Sequence, residues 1–175
     1  MNRHLAISLA LLCWLTALPL SARNATIDSL LQVVDTATGA YKQRAYTRLA
    51  HAYLDEDMVT EAVDAFDRLI KVDGELKTPT HEANHRHNKL AILYYYRRND
   101  SLRREVKVQQ EWFERQKNWD EYYYAWKLVA DSYYFEGKIQ TALREAKAMM
   151  TDAKQRQRPA YIATRLNDEL TDGLT

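Results

Sequence analysis

A short pattern that returns along the chain constrains its fold more than any other feature. Tyr46-x2-Leu49-Ala50-x2-Tyr53 is followed nine residues later by Ala62-x3-Phe66, and Trp126-x2-Val129-Ala130-x2-Tyr133 nine residues later by Ala142-x3-Ala146. The two blocks superimpose at an offset of 80 without a gap. His87-x2-Leu90-Ala91-x2-Tyr94 lies between them, at an offset of 41 from the first and 39 from the third. Spacings of three and four put these residues on one face of a helix. Each block therefore reads as helix, turn, helix. One such pair exposes an apolar face that only stacking on the next pair buries.

The rest of the chain fits this reading. Only 4 Gly and 3 Pro occur in 175 residues, too few for the many tight turns of a sandwich or barrel. Ile27, Leu30, Leu31 and Val34 form a first apolar stripe, and helices are expected over Tyr41–Leu54 and Met58–Val72. Gly74 to Thr80 reads as the longest loop, with Thr78 as N-cap and Pro79 opening the next helix. From there to Gly137 neither Gly nor Pro occurs. Asn99-Asp100-Ser101 and Asn118-Trp119-Asp120 offer caps that divide the stretch into helices over 81–97, 101–116 and 120–135. One more is expected from Ile139 to Lys154, and a last from Pro159 to about residue 171. The fold class is all-α, with helix pairs over about 41–76, 81–117 and 119–155.

The aromatic–Leu–small–Tyr pattern, followed by a small residue and an aromatic one, resembles the tetratricopeptide repeat (TPR) superfamily. The resemblance covers about residues 41–155 and implies a solenoid of antiparallel helix pairs. Ala50, Ala91 and Ala130 would stand where paired helices cross closely. The middle pair departs from the pattern: Arg103 and Lys107 fall where small and aromatic residues belong, while Leu102, Val106 and Phe113 form a stripe displaced by one residue. The spacing of about 40 also exceeds the roughly 34 of an ordinary TPR. The exported, tyrosine-rich character is similar to the TPR input regions of bacterial sensor kinases and transcriptional regulators. That likeness implies a partner-sensing role, with the helix near Thr175 either a cap or the front of something longer.

Residues 1–22 have the order of a secretory signal peptide: Arg3 and His4, an apolar run from Leu5 to Leu20, then Ser21 and Ala22. An uncleaved anchor is the alternative. Cleavage after Ala22 would discard Cys13, the one cysteine, and leave 23–175 as an exported, most simply periplasmic, helical domain. Such a domain uses no disulfide, thiol nucleophile or Cys-ligated zinc. Removing Arg3 balances bases against acids, which argues against a nucleic-acid partner attracted by overall charge. No glycine-rich phosphate loop or nucleophile elbow occurs, and no cofactor is implied.

One motif carries chemistry. His81-Glu82-Ala83-Asn84-His85 matches H-E-x-x-H, in which two histidines on one helical face ligate zinc and the glutamate is general base. Pro79 upstream and the polar Arg86 and His87 downstream do not suit that enzyme context, so His81 and His85 are only weak metal candidates. Trp112, Trp119 and Trp126 recur at heptad spacing. The repeat assigns Trp126 to the core and the other two to a turn region.

In the TPR register the first helix of each pair lines a concave groove. Its columns read Arg44, His85, Tyr124; Thr47, Asn88, Lys127; His51, Ile92, Asp131; and Leu54, Tyr95, Tyr134. Tyrosines, imidazoles, an amide and both charges suit an extended peptide or a helix of a protein partner. The expected function is thus a non-enzymatic exported scaffold, the sensory part of a larger signalling protein. A stand-alone envelope assembly adaptor is the alternative, and a zinc-dependent hydrolase a more distant one.

Overall fold

The computed structural model describes residues 25–158 and 160–163. The expected signal peptide over 1–22, and Pro159 with residues 164–171 of the expected last helix, lie outside the described residues. A first helix, α1, covers residues 25–36. It is followed by α2 (Gly39–Asp55), α3 (Val59–Leu76), α4 (Pro79–Tyr95), α5 (Asn99–Arg115), α6 (Trp119–Phe135), α7 (Ile139–Gln155) and α8 (Ala160–Ala163). Among the described residues no strand occurs, and no helix is long and apolar enough to cross a membrane. The result is an all-helical, repeat-like succession in which helices pack on their sequence neighbours.

Backbone chemistry sets the period. Helices α2 to α7 all end in the same turn, whose hydrogen bonds run from Asp57 N–H to Leu54 C=O and from Met58 N–H to Tyr53 C=O. The pair recurs at Lys77/Thr78, Arg97/Arg98, Lys117/Asn118, Gly137/Lys138 and Gln157/Arg158. This is the Schellman arrangement, which satisfies two orphan carbonyls and requires a left-handed residue. Asp57, Lys77, Arg97, Lys117 and Gln157 adopt it with φ of 53–56°, and Gly137 with φ of 73°. These positions advance by a constant step of 20 in the numbering, so helix pairs return at a step of 40.

That count corrects the middle block. With offsets of 40 and 40 rather than 41 and 39, Leu90 is the equivalent of Ala50 and Ala130. Leu90 and Ala50 are each 0% exposed and Ala130 is 7% exposed, whereas Ala91 is only half-buried. Leu102 and Val106 then fall in phase with Ala62 and Phe66, and all four are buried. The departure of the middle pair is a one-residue misregister.

Three local expectations also change. Gly74 to Leu76 belong to α3, leaving Lys77 and Thr78 as the connection, with Pro79 opening α4 as expected. Asn118 does cap α6, its side chain accepting from Glu121 N–H, but Asn99 is the first residue of α5 and its amide donates instead to Glu136 at 2.9 Å. Trp112 is buried within α5 rather than placed in a turn, with the Arg86 guanidinium 4.6 Å from its ring centroid.

The chain forms two compact units that divide between Glu82 and Ala83, in the first turn of α4. In the first, α2 and α3 close over Ala50, Ala62, Phe66 and Leu69, all essentially without exposed surface. Burying Phe66 and Leu69 contributes roughly 1.5–3 kcal/mol each. Asp73 is fully buried and accepts a 2.6 Å hydrogen bond from Gln43, whose amide also reaches His81.

In the second unit Leu90, Leu102, Phe113, Ala125 and Ala153 form the driest part of the core. Its buried polar groups are mostly paired, as low dielectric demands, with Asn99 Oδ1 and Trp119 Nε1 the exceptions. Lys89 meets Glu105 at 2.7 Å, while Gln109 is bonded by Arg86 and bonds Glu105 in turn. Glu136 gathers Arg103 and Asn99 of α5, each at 2.9 Å, and Lys138 at 2.8 Å. The Arg103 bond chiefly, then those of Lys138 and Asn99, holds its carboxyl down to about 2. Arg156 lies over Trp119 and Tyr122 and binds Asp152 and Glu114.

Candidate functional site: an aromatic face on α4 and α6

In the second unit, α4 and α6 bring together a run of rings. His87 stacks on Tyr124 with centroids 4.5 Å apart and planes 15° apart. Its Nδ1 lies 2.8 Å from Glu121 Oε2. That hydrogen bond favours the imidazolium and raises the His87 pKa, against the opposing effect of burial. Burial, with Tyr95 and Glu121 nearby, raises the Tyr124 pKa, so its phenol remains a neutral donor near neutral pH. Farther along the face Tyr94 meets Tyr95 at 5.6 Å and Phe135 at 6.2 Å, and Phe135 meets Tyr134 at 5.7 Å. The Arg97 guanidinium lies 4.0 Å from the Phe135 centroid. Lys127 and Asp131, one turn apart on α6, pair at 2.8 Å.

Much of this surface is open. Tyr95 is 75% exposed, Phe135 54% and Tyr134 43%. Isolated exposed apolar residues are ordinary, but a contiguous aromatic group is the kind of surface that partners cover.

The structure distributes the expected groove residues unevenly. In the first unit Arg44 and His51 are exposed on α2, Thr47 and Leu54 half-buried. Arg44 lies 5.9 Å from the Tyr41 centroid, the Thr47 hydroxyl donates to the Gln43 carbonyl, and His51 meets the edge of Phe66. In the second unit Tyr124, Lys127, Asp131, Tyr134 and Tyr95 belong to the aromatic face. Asn88 is exposed and His85 half-buried. Ile92 is buried in the core, where a partner cannot touch it. The turn-to-turn period explains the pattern on α4: the equivalents of Tyr124, Lys127, Asp131 and Tyr134 are Asn84, His87, Ala91 and Tyr94. His85, Asn88, Ile92 and Tyr95 each stand one residue, about 100° of helix, away. Sequence reasoning thus missed His87, Tyr94, Phe135 and Arg97. Counting the period from turn to turn would have found the first two.

The H-E-x-x-H residues lie in the first two turns of α4. His81 is exposed and hydrogen-bonds Gln43, Glu82 is buried, and His85 is half-buried. Among the described residues no group of three or more His, Cys, Asp or Glu side chains could hold a metal ion. No family model matches the chain, and no curated protein matches it.

Proposed function

We propose that the chain is a TPR-like, non-enzymatic scaffold that captures an extended peptide or protein segment on the α4–α6 face. The observation that carries this reading is the aromatic run of half-buried Tyr94 with exposed Tyr95, Phe135 and Tyr134, continued by the His87–Tyr124 stack. Tyrosines combine large contact area with a hydroxyl and lose little conformational freedom on binding, which makes them frequent anchors. The regular return of the helix pairs, set by one repeated turn, supports the TPR likeness. The charged start, apolar run and small-residue end of residues 1–22 support export to the periplasm. Export suits the sensory input role and equally a stand-alone envelope adaptor.

The test is Tyr95→Ala combined with Tyr134→Ala in a pull-down of envelope proteins. Capture should weaken by about tenfold or more, the loss expected when anchor rings are truncated, while the melting temperature stays nearly unchanged. Equal loss of stability and capture would make these residues part of the core and end the proposal. About one tightly held zinc per chain, with a hydrolase activity lost in Glu82→Ala, would overturn the non-enzymatic reading.

A further inference from the structure

A crevice of about 500 Å³ opens between α5, α6 and α7 of the second unit, lined by residues other than those of the aromatic face. Its wall is Trp126, Val129 and Tyr133 of α6 with Val106 of α5. Other lining residues hold the wall in place. Trp126 Nε1 donates to Glu145 at 3.1 Å, and the Arg103 guanidinium lies 4.5 Å from the Tyr133 centroid. Arg103 is committed to Glu136 and Asp100. The rim also carries Arg104 and Lys107, both exposed. Arg104 donates to the Ser101 hydroxyl, and Lys107 makes no ion pair or hydrogen bond among the described residues. The acids of the lining, Asp100 and Glu145, already hold Arg103 and Trp126.

The first unit contains a counterpart built on the same wall, at the repeat offset of the two matching sequence blocks. Tyr46, Leu49 and Tyr53 stand where Trp126, Val129 and Tyr133 do, around about 260 Å³. There the rim is acidic: Asp35, Glu61 and Asp64 against Arg68. The positions equivalent to Glu61 and Asp64 are Thr141 and Arg144. Packing explains the shared wall, since both crevices are left by the same helix-pair geometry. It does not explain a wider crevice with a rim of opposite sign.

We infer that the crevice of the second unit binds a small amphipathic organic anion, its flat apolar body against Trp126 and Val129 and its carboxylate at Arg104 and Lys107. The volume lies within the range of small-molecule sites. Two cations without carboxylate partners beside an aromatic wall supply charge-assisted bonds to one end of such a ligand and apolar contact to the other. This site goes beyond the partner-binding reading and does not depend on it.

The test uses the full chain and 2-naphthoate as probe, with binding followed by calorimetry and by the indole resonance of Trp126. Naphthoate should saturate one site per chain at submillimolar concentration and shift Trp126. Its neutral isostere 2-naphthamide should bind about tenfold or more weakly, because it lacks the charge-assisted bonds. Arg104→Glu with Lys107→Glu, exposed changes whose fold is checked by circular dichroism, should abolish the preference for the anion. Arg104→Lys with Lys107→Arg should keep it. Tyr95→Ala with Tyr134→Ala should leave naphthoate binding intact, which separates this site from the aromatic face. The inference is overturned by absence of saturable binding, by equal affinity for the two probes, or by unchanged naphthoate affinity in the folded charge-reversed variant.

Discussion

Replacing Ala91 and Ala50 by leucine decides which residues are equivalent along the chain. If the 41/39 register of the sequence motif were right, both alanines would stand at the crossing of paired helices and leucine would be refused at both. The turns instead make Leu90 the partner of Ala50 and Ala130. Ala50 has no exposed surface, and forcing three more carbons into such a site costs roughly 1–3 kcal/mol. In a chain of this length each kcal/mol shifts the melting temperature by about 2–4 °C, so Ala50→Leu should melt about 2–12 °C lower. Ala91 is half-buried, leucine and alanine are both good helix formers, and the change should stay within about 0.5 kcal/mol. Leu90→Ala empties a fully buried site and should cost about 2–5 kcal/mol. Urea denaturation followed by far-ultraviolet circular dichroism measures all three. Ala91→Leu as damaging as Ala50→Leu, or a neutral Leu90→Ala, would refute the register set by the turns.

Three further outcomes are expected. The Glu121 bond raises the His87 pKa above the ordinary 6.5, so the stability it contributes is present below that value and lost as pH rises through the raised one. An NMR titration of His87 should show the elevation in the wild type and its loss in Glu121→Gln. Glu136, held to about 2 chiefly by Arg103, contributes stability that is present above the ordinary carboxyl value of 4.5 and disappears as pH falls through about 2. Glu136→Gln should therefore be less stable than wild type near neutral pH and converge with it in acid, as read from urea midpoints across that range. Lys117 holds φ of 55°, a conformation that costs a side chain roughly 1–2 kcal/mol and glycine little. Lys117→Gly should leave stability unchanged or raise it by up to about 1 kcal/mol in the same denaturation assay.

The helix pairs are legible wherever apolar spacing and burial agree. The blocks that start at Tyr46 and Trp126 align on sequence alone, and their helices lie close to where the stripes put them. The middle pair misleads because Leu90-Ala91-x2-Tyr94 imitates the motif one residue late. Its own buried positions also carry misleading residue types. Lys89 and Gln109 stand where hydrocarbon is expected, and they are tolerated because the half-buried Glu105 pairs with both. Four of the left-handed turn residues are Lys, Arg, Lys and Gln, none of which marks such a turn in a sequence. Gly74 misleads in the opposite sense. It lies inside α3, where a Cβ would approach only Glu82 Oε2 at 3.9 Å. On the candidate face Tyr124 and Tyr134 of α6 are found from sequence, whereas the same slip of one residue assigns His87 to packing and Ile92 to the groove.

The uniform turn chemistry has a consequence for how such a chain can change in length. Excising or duplicating one complete hairpin at any of these left-handed seams joins one helix end to another of the same geometry, so whole modules can be lost or gained with the junction unaltered. Adding a single residue inside a helix instead turns everything downstream by about 100° and carries each buried side chain off its face. Growth by complete modules is cheap for this architecture, and growth by fractions is nearly forbidden.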